Sequence, residues 1–264
     1  MVVDQTLDLL AISPHPDDVE MCCGGTLAKL ASQGYQVGIL DLTRGELASN
    51  GTPEQRAQEA AQAAQILGLT YRSNLALPDG FLSTLLSKDS KEEEGTGPVA
   101  LLVHIIRSYR PSLIFAPPAA ARHPDHVAAA RLVERSVFFA GVKNYAASSE
   151  LQAFRPRRVL RYMMRAGLRP GFVVDVSEIY EKKRQAIQCY HSQFTRDSST
   201  VSTLANAPKS HSALEARDRV FGGLIGVDYA EGFMLDGTMH VDNPIAHFSQ
   251  AQPAVLFQDE SERR

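Results

Sequence analysis

LDLLAISPHPDD, residues 7–18, decides the fold. The run LDLLAIS (7–13) has strand length and breaks at Pro14, and His15-Pro16-Asp17-Asp18 follows at once. A short apolar run bounded by turn residues reads as a buried strand. Residues 20–34 then have helical spacing and stop at Gly34, a residue that favours helix C-termini. YQVGILDLT (35–43) reads as a second buried strand. Strand, helix, strand in this order predicts parallel pairing through a right-handed crossover.

The alternation continues outward. A polar loop fills 44–52, and Thr52-Pro53 is a helix start that runs to Gly68. NLAL (74–77) is a short strand entering the turn Pro78-Asp79-Gly80. A helix over 98–110, the buried strand SLIFAP (112–117) and a helix over 124–140 follow. Further strands are expected at 158–164 and 172–176, a long helix from Ser177 to 194, a helix at 213–225 and an edge strand at 229–235. The expected class is α/β: a Rossmann-like, mostly parallel sheet with helices on both faces, in one domain over 1–248. In such sheets ligands bind beyond the carboxyl ends of the strands. The charged stretches 87–97 and 195–211 read as mobile loops, the second a candidate substrate lid, and 249–264 as a disordered polar tail.

Composition narrows the function. The 264 residues carry 27 Lys and Arg against 30 Asp and Glu, a net charge of −3, which argues against nucleic-acid binding through a basic field. No apolar run reaches the roughly 18 residues of a membrane span, and Asp4 and Asp8 make the N-terminus unlike a secretory signal. Cys22, Cys23 and Cys189 form no disulfide framework, so a reducing, cytoplasmic setting is expected.

The residues that carry chemistry stand at strand ends. His15-Pro16-Asp17-Asp18 follows the first strand, and His123-Pro124-Asp125-His126 follows the strand at 112–117. Either motif alone also reads as a helix N-cap; the pair is harder to explain that way. His15 and Asp18 are three apart, so both can face one point at a helix start, and His126 can join them from the neighbouring strand end. Two imidazoles and one carboxylate leave coordination positions open, as catalytic zinc requires. The expected cofactor is one Zn2+ per subunit; the same donors accept Fe2+ or another divalent ion. Asp17 is the candidate general base. His123, as an imidazolium, is the candidate oxyanion stabiliser or acid. Asp125 is placed to hold an imidazole in one tautomer.

Other features carry less. Gly24-Gly25 lacks a dinucleotide fingerprint, Gly222-Gly223 reads as a helix end, and no Walker A motif is present. Cys22 and Cys23 read as packed thiols, with a redox pair as the alternative. His104, on an apolar helix, reads as a core residue.

These motifs resemble those of the LmbE-like, or PIG-L, zinc-dependent N-deacetylases, which carry HPDD after the first strand and HPDH near the middle. DLTRGELASNGTPEQR (41–56), LALPDG (75–80), CYHSQF (189–194), EARDRVFG (215–222) and GVDYAEGF (226–233) resemble the bacillithiol-biosynthesis branch. The resemblance covers about residues 6–235. It implies a hydrolase that removes the acetyl group from N-acetylglucosaminyl malate. It also implies zinc on His15, Asp18 and His126, Asp17 as base, and His123 at the oxyanion with Asp125 orienting it. Arg56 falls at a sugar-contacting arginine, and Glu46, Asn50 and Asp79 fall on substrate-facing loops. Relatives imply a homo-oligomer. The chain departs from them at Ala119-Ala120-Ala121, and no tyrosine stands at Ala121 or near Ser210 and His211 to reach an acyl carbonyl. The same chemistry on another N-acetylglucosamine conjugate, or a non-catalytic sugar-binding relative, remain alternatives at the level of sequence.

Overall fold

The computed structural model describes residues 6–87, 97–145, 150–165 and 169–243. Its strands are β1 (Leu9–Ser13), β2 (Val37–Thr43), β3 (Tyr71–Leu77), β4 (Leu113–Ala116), β5 (Arg158–Tyr162), β6 (Phe172–Asp175) and β7 (Ala230–Leu235). Its helices are α1 (Asp18–Ser32), α2 (Pro53–Leu67), α3 (Leu82–Ser87), α4 (Pro98–Tyr109), α5 (Pro124–Ala140), α6 (Tyr180–Gln188), α7 (His191–Phe194) and α8 (Ser210–Gly223).

The strands form one sheet in the order β3-β2-β1-β4-β5-β7-β6. The first five pair in parallel, and β7 runs antiparallel to both β5 and β6. The segment expected as an edge strand is therefore interior, and the edges are β3 and β6. The chain reverses its direction of travel across the sheet between β1 and β4, which pair Leu9 with Leu113 and Ala11 with Phe115. The crevice outside the carboxyl ends of two such strands is the general ligand position in open α/β sheets.

Burial follows the two-residue period of a strand. Leu9 and Ala11 of β1 pack into a core with Val19, Cys23 and Leu27 of α1 and Ala63 and Leu67 of α2. Leu10 and Ile12 pack the other way, against Leu102 and Ile106 of α4 and Leu132 and Val133 of α5. A strand buried on both faces has no polar alternation, which is why the sequence reads as a continuous apolar run.

Local chemistry sets the helix ends. Thr52 Oγ1 accepts from Gln55 N at 3.2 Å while Gln55 Oε1 accepts from Thr52 N at 2.9 Å, a reciprocal cap on α2. α1 is broken at Cys23 (φ −145°, ψ 18°). Glu231 of β7 fills the break: its Oε1 accepts from Gly25 N at 2.9 Å and its Oε2 from Thr26 N at 2.6 Å. A Cβ on Gly25 would lie 3.0 Å from Val176 and 3.1 Å from that carboxylate, so a larger side chain would push Glu231 away.

The helix expected from Ser177 to 194 is split. A 3-10 turn covers Ser177–Ile179, and the helix breaks between α6 and α7 at Cys189-Tyr190. There Tyr190 turns inward and its hydroxyl donates to Glu20 at 2.6 Å, while Ser192 N donates to Glu59 at 2.7 Å and Gln193 Nε2 to Asn50 O at 2.7 Å. These bonds tie the break to α1, α2 and the 44–52 loop. His104, expected in the core, is exposed on α4. Residues 88–96 of the expected 87–97 loop, and the tail 249–264, lie outside the described residues.

Candidate active site

The loop after β1 delivers His15, and α1 begins with Asp18. Asp17 caps α1 with φ 118° and ψ −29°, a left-handed conformation that costs a non-glycine residue of order 1–3 kcal/mol. Such backbone persists where the surroundings impose it. Here Arg56 of α2 donates through Nη2 to Asp17 Oδ2 at 2.9 Å and to the Pro16 carbonyl. Gly45, at φ +68°, lets the Arg56 guanidinium pass where any Cβ would lie 2.1 Å from its Nη1. β4 leads to the second motif, whose His123 caps α5 and whose His126 lies one turn further along.

The side chains converge. Asp18 Oδ2 lies 3.1 Å from His15 Nδ1 and 3.3 Å from His126 Nε2. The donor atoms of His15, Asp18 and His126 all fall within 4.8 Å of one another. His15, His123 and Asp125 form a second such group, but Asp125 is committed elsewhere. Its Oδ2 accepts from Gly80 N at 2.6 Å and its Oδ1 from Leu82 N at 3.2 Å.

The charge balance fits a cation. Burial would raise the Asp18 carboxyl, but the facing His126 and His15 rings outweigh it and hold it far below the carboxylate range. Burial would lower His15, yet Asp125, Asp18 and Asp79 keep it well above its ordinary value. Asp17, buried beside Asp18, is pushed up to about 7 by burial and by Asp18, against the pull of Arg56. His15 Nε2, buried and 3.1 Å from Asp79 Oδ1, has no well-aligned hydrogen bond. Carboxylates on Asp17, Asp18, Asp79 and Asp125 around a buried imidazole are the surroundings a divalent ion would neutralise. The donor set fits such an ion with positions left open.

The contacts around His123, Asp125 and Arg56 are specific. Asp125 does not hold His123 by its carboxylate; instead its backbone N–H donates to His123 Nδ1 at 3.2 Å. That bond puts the proton of a neutral His123 on Nε2. Burial and the neighbouring His15 and His126 rings lower the His123 pKa, which works against the expected imidazolium. Its centroid lies 4.8 Å from that of His15. Arg56, expected at the sugar, is 4 % exposed and its guanidinium is turned onto Asp17.

The expected substrate-facing residues tie loops together. Glu46 accepts from Asp79 N at 3.1 Å, and Asp79 Oδ2 accepts from Leu47 N at 2.9 Å. Asp79 thus joins two loops and presents its other oxygen to His15. Asn50 donates to Val201 O at 2.9 Å and accepts from Val201 N at 2.7 Å, which pins the 195–211 stretch to the 44–52 loop. His211 packs its ring on Phe194, 5.2 Å between centroids.

Two groups around the site escaped the sequence reading. Met164, just past β5, sets its sulfur 3.0 Å from His126 Nδ1. Below α1, Lys183 lies 2.6 Å from Asp218 and 2.7 Å from Glu231, all fully buried. No apolar period marks either. Cys22 and Cys23 are buried and outside any disulfide, and burial pushes the Cys22 thiol up to about 12, which disfavours a reactive thiolate there. No helix among the described residues is long and apolar enough to cross a membrane.

A two-imidazole, one-carboxylate donor set at the switch point of a parallel sheet, with a further carboxylate beside it, defines a metal-dependent hydrolase. The family model for PIG-L, GlcNAc-PI de-N-acetylase, matches residues 10–137. The chain belongs to this PIG-L, or LmbE-like, deacetylase family. A crystal structure of a conserved protein from Thermus thermophilus superposes with a TM-score of 0.77 at 39 % identity, covering 93 % of this chain and all of that one. The diacetylchitobiose deacetylase of Thermococcus kodakarensis is 29 % identical over 72 % of this chain and 71 % of its own length. The 2'-N-acetylparomamine deacetylase of Streptomyces fradiae is 28 % identical over 84 % of each.

Proposed function

We propose that the chain hydrolyses the acetamide of N-acetylglucosaminyl malate, giving glucosaminyl malate and acetate in bacillithiol biosynthesis. The observation that carries the chemistry is the Asp17 carboxylate, strained and tied to Arg56, next to the His15, Asp18 and His126 donors. The malate conjugate is supported by the CYHSQF and YAEGF segments. Exposed Arg122 and Arg165, which adjoin His123 and Met164, offer positive charge to an anionic aglycone.

Zn2+ is the proposed ion, held by His15, Asp18 and His126; when bound it makes water nucleophilic near neutral pH and polarises the acetamide carbonyl. Asp17 takes the proton of the attacking water. His123 donates from Nε2 to the oxyanion as the carbonyl carbon becomes tetrahedral. Asp17 then returns its proton to the nitrogen, the C–N bond breaks, and the free amine and acetate leave. A soluble cytoplasmic homo-oligomer belongs to the same reading.

The test is free-amine release, followed by mass spectrometry, from N-acetylglucosaminyl malate, N-acetylglucosamine and diacetylchitobiose, with zinc-loaded and chelator-stripped protein. The highest kcat/KM is expected for the malate conjugate. A tenfold preference for another conjugate would move the substrate and keep the chemistry. No zinc-dependent release from any of them would remove the enzyme reading.

A further inference from the structure

We infer that Met164 is a positioning residue for His126, holding its ring in the tautomer that leaves Nε2 free for the ion. This rests on His15, Asp18 and His126 being the metal site.

His126 is 5 % exposed, so its ring nitrogens find partners inside the protein. Nε2 faces Asp18 Oδ2 at 3.3 Å, inside the donor set. Nδ1 faces the Met164 sulfur at 3.0 Å. A neutral imidazole carries one N–H and one lone pair, and a thioether sulfur has no proton to give. The contact is therefore a hydrogen bond only when Nδ1 bears the hydrogen. The lone pair then lies on Nε2, the form a metal needs.

Metal-binding histidines usually give this N–H to a carboxylate, a carbonyl or water. His15 has a carboxylate in that place, with Asp79 Oδ1 3.1 Å from its far nitrogen but out of hydrogen-bond alignment. His126 differs: its acceptor is neutral and weak, so correct aim of the sulfur matters more. The structure supplies that aim. Met163 N donates to Gly232 O at 3.0 Å, fixing the end of β5 against β7. Arg217, paired with Asp218, reaches the Met164 carbonyl at 3.4 Å. The Met164 side chain packs on the core beneath α1. The buried ion cluster of α6, α8 and β7 thereby fixes the residue that aims a metal ligand.

The experiment compares wild type, Met164→Leu and Met164→Gln. Leu keeps the bulk and removes the acceptor; Gln offers a carbonyl in its place. Zinc affinity is read by competition with a chromophoric chelator. The His126 tautomer is read in metal-free protein by long-range 1H–15N NMR. Leu is expected to lose zinc affinity by about 10-fold and to shift His126 toward the Nε2–H form, while Gln stays within about 3-fold of wild type and keeps Nδ1–H. Unchanged affinity and tautomer in Leu would overturn the inference. So would equal losses in Leu and Gln, because packing alone would then account for Met164. Wild-type protein that binds no zinc while the tautomer still shifts in Leu would instead overturn the metal site and leave the contact standing.

Discussion

Arg56 Nη2 lies 2.9 Å from Asp17 Oδ2, and the pair is buried between α2 and the start of α1. The guanidinium also takes the Pro16 carbonyl, so it braces the backbone that carries Asp17 at φ 118°. It aims a crowded carboxyl and pulls its pKa down against burial and the neighbouring Asp18, which together still hold it at about 7.

Arg56→Ala is accordingly expected to act on kcat. A small misplacement of a catalytic group can cost about 10²-fold, and that loss is expected with KM changed little. Steady-state kinetics on a sugar conjugate and on a minimal acetamide check it. A rise in KM confined to the sugar conjugate would put Arg56 on the substrate instead.

Asp17→Asn keeps the shape of the side chain and removes its basicity. Because Asp17 is not among the converging donors, the variant is expected to retain zinc while kcat falls by about 10²–10⁴-fold. Metal analysis after dialysis and single-turnover rates supply both halves. Near wild-type turnover in zinc-loaded protein would end the assignment of the base.

Asp79 stands behind His15 and joins the loops after β2 and β3. Asp79→Asn is expected to weaken zinc binding by about 10–100-fold, the usual cost of losing the carboxylate behind a metal-bound histidine. Chelator competition measures it. Unchanged zinc affinity with a raised KM would return Asp79 to the substrate.

Much of this was legible in the sequence. β1, β2 and β4 were readable because they are buried along almost their whole length and so appear as continuous apolar runs. The convergence of His15, Asp18 and His126 was readable because two HPD motifs stand at strand ends. What was not legible has one physical cause: it depends on partners distant in sequence. Tyr190 breaks its helix to reach Glu20, 170 residues away. Arg56 on α2 and the loop residues Asn50 and Asp79 are polar, and nothing local in the sequence shows that they meet Asp17, Val201 and His15. β7 reads as an edge because nothing in YAEGFML reveals that β5 and β6 close on both of its sides.

Glu231 gives the last prediction. Its Oε1 accepts from Gly25 N and Lys183, and its Oε2 accepts from the backbone and hydroxyl of Thr26. Every near partner is a donor, so the position needs an acceptor at both oxygens. Glu231→Gln keeps the volume but must set an NH2 group against donors on one side, and it leaves Lys183 with Asp218 as the closer of its two former counter-charges. Burial would strip the Lys183 proton, and Glu231 heads the groups that keep its pKa above the ordinary value. Removing one member of a buried ion network costs about 3–5 kcal/mol. The urea midpoint of the metal-free protein is therefore expected to fall sharply with an unchanged slope. Zinc, which binds only the folded chain, should recover part of the loss by mass action. A midpoint equal to wild type would mean that the break in α1 does not depend on the carboxylate that fills it.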